Sequence, residues 1–139
     1  MRDDISILVV QPAEKFGIEA ATLRNEFGSV YVAFNLEAAR MKLASSIADD
    51  GFGSSSLDVA IIDPYTPLYN SSLRGIDEVA IYDFFVDLKH AGISVIYASR
   101  KYDPQSFGLM EHVHYDIALP KDYDIFHIKE NVLRASKMK

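Results

Sequence analysis

The side chains that could do chemistry in this chain sit just past its β-favouring runs. Leu57-Asp-Val-Ala-Ile-Ile-Asp-Pro-Tyr-Thr-Pro67 runs from aliphatic residues straight into Asp63, an aspartate flanked by prolines. Gln11 and Pro12 follow a first run, Ile5 to Val10; Ser99 follows another, and Pro120-Lys121 a further one. Arg74, Arg100 and Lys101 fall in connections near the same positions and could bind an anionic ligand, or stand as solvated loop charges. Other chemistries lack their signatures. With no cysteine there is no disulfide, thiolate metal site or cysteine nucleophile. His112 and His114 form a His-x-His pair, but zinc needs further ligands and none is spaced nearby. His90 and His127 are expected on solvated helix surfaces. No Gly-x-Gly-x-x-Gly or Walker pattern follows the first run, and no Gly-x-Ser-x-Gly elbow occurs. No Asp/Glu pair has a spacing that selects acid–base catalysis, so no enzymatic activity is expected.

The elements that must position these residues alternate along the chain. Ile5 to Val10 is a short β-branched run, as expected of a strand buried on both faces. Phe16, Ala20, Leu23 and Phe27 then recur at helical spacing, with Gly28 as a helix stop. Residues 30–34 predict a second strand, after which Asn35 can cap a helix carrying Leu36, Ala39, Leu43 and Ile47 on one face. Leu57 to Ile62 predicts the third strand. A helix from about Asp77 to His90 follows, with Val79, Phe84 or Tyr82, Val86 and Leu88 as core contacts and Gly92 as terminator. Residues 93–98 predict the fourth strand. Asp103-Pro104 opens a short helix to about His112. Residues 115–119 predict the fifth strand, and Ile125, Ile128 and Val132 mark a last helix begun near Asp124.

Five such units imply an α/β fold with a parallel sheet and helices on both faces, because each crossover must lay a helix on the sheet. A chain of 139 residues suits one domain with a doubly wound five-stranded sheet in the order 2-1-3-4-5. In that order ligands meet the carboxyl ends of strands one and three. Asp63, Gln11, Pro12, Ser99 and Lys121 all fall at such strand ends. The formal net charge of -6, spread along the chain, argues against this domain gripping nucleic acid by itself. No apolar run reaches the roughly 18 to 20 residues that span a bilayer, and a cytoplasmic location is expected.

This constellation resembles the receiver domain of bacterial two-component response regulators, over nearly the whole chain. The resemblance puts Asp63 at the phospho-accepting position and Pro67 at the end of that family's Asp-x-x-x-Pro spacing. It puts Ser99 at the hydroxyl that closes on the phosphoryl group, and Lys121 near the phosphate-binding lysine. Tyr97 and Tyr115 could supply a rotating aromatic, or simply bury their rings. The chain departs from the family where receivers carry an acidic pair after the first strand, because Gln11 and Pro12 stand there. Mg²⁺ prefers carboxylates and phosphate oxygens, and these two residues offer one neutral carbonyl oxygen between them. The family's Lys-Pro is reversed to Pro120-Lys121, and Leu68 to Arg74 lengthens the connection after Asp63.

These departures lead to the expectation of an atypical receiver, a pseudo-receiver, that works without Mg²⁺-dependent phosphorylation. Such a module acts by binding a protein partner or by dimerising. Receivers commonly associate through the fourth helix, fifth strand and fifth helix, here about 103–139, with Phe107, Leu109, Met110, Phe126 and Ile128 as candidates. The resemblance also allows this to be the amino-terminal domain of a longer regulator with a fused output domain, often one for transcription regulation. Two alternatives remain at this stage. One is a phospho-accepting receiver using Asp63 and Mg²⁺; the other is a flavodoxin-like domain that binds a small anion through Arg74 or Arg100. If neither holds, Asp63 caps the strand end by accepting hydrogen bonds from nearby backbone amides.

Overall fold

The computed structural model describes residues 2–12, 18–47, 55–68, 78–99, 114–120 and 122–138. Within them run β1 (Arg2–Val10), α1 (Ile18–Glu26), β2 (Phe27–Ala33), α2 (Leu36–Ser46), β3 (Val59–Ile62), α3 (Glu78–His90), β4 (Ser94–Tyr97), β5 (Ile117–Ala118) and α4 (Ile125–Ser136). The strands pair in parallel in the order β2-β1-β3-β4-β5. This is the doubly wound, flavodoxin-like order that the β-α rhythm predicts. The short helix expected over 103–112 lies outside the described residues.

Alternation along the strands builds two cores. Leu8, Val10, Ala60, Ile62, Val95 and Tyr97 pack against Leu36, Ala39 and Leu43 of α2 and Ile81, Phe84, Phe85 and Leu88 of α3. Ile7, Val9, Val59, Ile61 and Ile96 point the other way, onto Leu23 of α1 and Ile128, Val132 and Ala135 of α4. Every residue of β3 and β4 is buried, as a central parallel strand requires. Each large apolar side chain so buried contributes about 1.5–3 kcal/mol.

Local signals set the helix ends. Asn35 caps α2, its Oδ1 accepting from the Ala38 N–H at 2.7 Å. At the end of α3, Gly92 takes a left-handed φ of 79°, a conformation glycine adopts without a Cβ penalty. There Gly92 N–H donates to Lys89 O and Ile93 N–H to Leu88 O, both at 3.1 Å, which satisfies carbonyls that the helix leaves open. Asp124 starts α4 with a reciprocal box in which its carboxylate accepts from the His127 N–H while His127 Nδ1 accepts from the Asp124 N–H. His127 therefore works as a capping residue rather than as a merely solvated one.

Several boundaries differ from the sequence reading. Phe27 and Gly28 belong to β2, because α1 passes into the strand without an intervening loop. Phe27 satisfies the helical period and is buried, but it does so from the first strand position. Val79 is 59% exposed and Val86 only half-buried, whereas Ile81 and Phe85 fill the core. The apolar run around α3 admits more than one helical phase, and packing on β4 selects the other. Ile47 lies just past α2 as its C-cap and is partly exposed. The two-residue β5 is shorter than expected and is held in part by a side chain. Asp116 accepts from Val95 N–H at 2.7 Å and from Lys89 Nζ at 2.5 Å, tying the strand's entry to β4 and α3.

Replacing Asn35 by Ala should lower unfolding stability by about 1 kcal/mol, read as a shift of the urea midpoint with unchanged slope. The Asp124 carboxyl is held below its usual range, chiefly by the hydrogen bond from the His127 N–H. A depressed folded-state pKa stabilises at pH values above the ordinary aspartate value, about 3.9, and the contribution is lost as pH falls through the folded value. Thermal melts from neutral to strongly acidic pH should therefore show a shallower acid limb for Asp124→Ala than for the wild type.

Candidate functional site

The register decides what stands beside Asp63. Val10 pairs with Ala33 and with Ile62, Ile62 pairs with Tyr97, and Tyr97 pairs with Ala118. The ladder then runs one step beyond the strands. Gln11 N–H donates to Ala33 O at 3.0 Å, Asp63 N–H to Val10 O at 2.8 Å, and the Ala98 and Leu119 N–H groups to Ile62 O and Tyr97 O at 2.9 Å. Gln11, Asp63, Ala98 and Leu119 thus form one row across the carboxyl edge. Pro12, Pro64, Ser99 and Pro120 follow them in sequence. Ser99 is buried, one step past Ala98, so the row sets Ala98 rather than Ser99 beside Asp63.

Asp63 is only 4% exposed, and its carboxylate organises the chain that follows. Oδ1 accepts from the Tyr65 N–H at 2.9 Å, as short polar side chains do in turns. The Asp63 carbonyl accepts from both the Thr66 N–H, at 3.1 Å, and the Thr66 hydroxyl, at 2.6 Å. Pro64 suits the first corner of such a turn, where its fixed φ is preset and an N–H is not needed. The turn presents Pro67 O to the Leu36 N–H at 2.8 Å and Leu68 O to the Glu37 N–H at 3.1 Å. Those are two of the N–H groups that the start of α2 would leave open. The spacing from Asp63 to Pro67 therefore has a structural use in this chain, as an anchor for α2.

Beside the carboxylate there is little space. Asp63 and Gln11, with Val9, Val10, Ile61, Ala98 and Tyr123, line a cavity of about 10 Å³, roughly the minimum that accommodates a single water. Tyr123 is buried there, carried by a turn in which its N–H donates to Pro120 O at 3.0 Å. Tyr123 is a loop aromatic, and no periodicity in the sequence marks it as buried. Among the described residues, every buried side-chain nitrogen and oxygen has a hydrogen-bond partner. No group of three or more His, Cys, Asp or Glu side chains among them is placed to hold a metal ion. Among the described residues, Asp63 is the one carboxylate lining this cavity, and Gln11, Pro12 and Asp63 by themselves do not fit a magnesium site, which calls for several oxygen ligands with room for waters.

Of the other candidates, Lys121, Arg74, Arg100, Lys101, His112, Phe107, Leu109 and Met110 lie outside the described residues. His114 packs against Tyr82 in an edge-to-face arrangement, with ring centroids 4.7 Å apart. Tyr97 is buried between Phe85 and Tyr115, at 6.4 and 5.7 Å. Burial pushes the Tyr115 hydroxyl above its ordinary pKa. Ile128 belongs to the core, whereas Phe126 is 75% exposed. No helix among the described residues is long and apolar enough to cross a membrane.

No family model matches the sequence, and no curated protein matches it. Solved structures do. A two-component response regulator from Clostridium difficile superposes with a TM-score of 0.65 at 14% identity, over 96% of each chain. The fold is shared. A putative pilus assembly-related protein from Burkholderia pseudomallei superposes with a TM-score of 0.63 at 15% identity, over 99% of this chain and 92% of its own. Such low identities extend the likeness to the backbone and not to the side chains at the carboxyl edge. There this chain carries its own set: Gln11, Pro12, Asp63 and Ser99.

Asp63→Ala should lower stability by about 1–3 kcal/mol by stranding the Tyr65 amide, while Asp63→Asn, which keeps an acceptor at Oδ1, should lose less. Urea unfolding and the Tyr65 amide chemical shift check this. Equal losses for the two variants would show that charge, rather than the turn bond, matters at this position.

Proposed function

We propose that this chain is an atypical receiver-like signalling domain, non-enzymatic and without a cofactor, that works through protein contacts rather than Mg²⁺-dependent phosphorylation of Asp63. The observation that carries this reading is the Asp63 environment. The carboxylate is buried and bonded into its own turn, and it is bordered by Gln11 and a cavity of about 10 Å³. Phosphoryl transfer needs an in-line approach and neutralisation of the developing charge, usually by a metal ion. Gln11 and Pro12 supply neither carboxylate that would hold that ion. The shared response-regulator fold supports a signalling role, and an exposed Phe126 on α4 supports contact with a partner or a second copy through the region of residues 103–139.

The test is an amide NMR titration of the wild type and Asp63→Ala with beryllofluoride, with and without Mg²⁺. The expected result is no Mg²⁺-dependent shift at Asp63 or Ser99. Shifts that need Mg²⁺ and vanish in Asp63→Ala would establish a phospho-accepting receiver instead. Mg²⁺-independent shifts with an anion alone would favour small-anion binding at the strand ends.

A further inference from the structure

The two edges of the sheet are built differently. At one, β5 is two residues long and its entry is fastened to β4 by Asp116, so it gives an incoming strand little to pair with. At the other, β2 runs for seven residues, Phe27-Gly-Ser-Val-Tyr-Val-Ala33, with no charge and no proline. Charges, prolines and bulges are the usual guards of an exposed edge. From Ser29 to Ala33 this strand follows β1 in unbroken register.

The ladder fixes which backbone groups β2 offers outward. Gln11 N–H donates to Ala33 O, so Ala33 turns toward β1. Backbone groups alternate sides along a strand; Ser29 and Tyr31 therefore turn toward β1 as well, and Val30 and Val32 turn outward. β2 ends the sheet, so among the described residues no strand meets those outward N–H and C=O groups. Between the two valines stands Tyr31, 41% exposed, with Lys42 Nζ of α2 lying 3.5 Å from its ring centroid.

We propose that β2 is a self-association edge, at which a second copy of this chain adds its own β2 antiparallel across a two-fold axis at Tyr31. That centre is the middle of the regular stretch 29–33. It sets Val30 of each copy opposite Val32 of the other, and each such pair exchanges both of its N–H···O bonds. The two Tyr31 side chains then meet on one face as a non-hydrogen-bonded pair, the closer kind, in which aromatic pairs are favourable. A two-fold makes one surface its own complement, which an edge strand with equal donors and acceptors and no charge satisfies. The chain's formal net charge of -6 opposes self-contact elsewhere, and β2 adds nothing to that repulsion. The inference rests on the reading that this domain acts through protein contact, and it names one contact, at the edge opposite β5.

Sedimentation equilibrium over about a hundredfold range of concentration should show a reversible monomer–dimer equilibrium. The Val30 and Val32 amides should gain protection from hydrogen exchange as concentration rises. Tyr31→Lys sets like charges against each other across the axis and should weaken association about tenfold; mixing it with Tyr31→Glu should restore a heterodimer. The chain has no cysteine, so a single introduced one reports the register. Oxidised with diamide, Tyr31→Cys should form a covalent dimer, since the Cα atoms of such a pair lie about 4.5 Å apart, within reach of a disulfide. Ser29→Cys should not, because the two copies of that residue would lie more than about 13 Å apart. A chain that stays monomeric throughout, a dimer indifferent to Tyr31→Lys, or linkage through Ser29→Cys in preference to Tyr31→Cys would overturn the proposal. A monomer with no Mg²⁺-dependent beryllofluoride response would remove this contact alone. A β2 dimer with such a response would keep the contact and remove the phosphorylation-independent reading.

Discussion

A carboxylate buried at the end of a central strand must have its hydrogen bonds met, and at Asp63 that requirement shapes the surroundings. Leaving a buried carboxylate unpaired costs several kcal/mol or shifts its protonation. Part of the solution is the turn through Thr66, in which the Asp63 side chain takes the Tyr65 amide and its carbonyl takes two bonds from Thr66. Because that turn is fixed, Pro67 and Leu68 present carbonyls to the first N–H groups of α2. The start of α2 depends in turn on Asn35, two residues past the row that aligns Ala33 with Val10 and Ile62. Strand register, turn and helix start are thus one connected set of bonds around a single aspartate.

The same connection separates what could be read from the sequence from what could not. Asn35, Gly92 and Asp124 were legible because a cap is a local device, carried by a residue type and its immediate neighbours. The strand order was legible because a β-α rhythm leaves few topologies open. Phe27 was misplaced because it fits the period of the helix before it, and only pairing with Arg2 marks it as strand. In α3, Ile81 and Phe85 were overlooked for Val79 because an apolar helix offers several faces, and the sheet chooses among them. Asp116 could not have been found by pattern. Its partners, Lys89 and Val95, are 27 and 21 residues away in sequence.

For the candidate site, residue type carried more than spacing did. Gln11 and Pro12 just past β1 offer one neutral side-chain oxygen between them, and that much is plain from residue type before any geometry. The smallness of the space beside Asp63 is a different kind of fact. It depends on Tyr123 arriving from a turn after β5, some 60 residues downstream, and on the register that sets Ala98 in the row beside Asp63. Neither contribution has a local signature, since each is set by how the strands align.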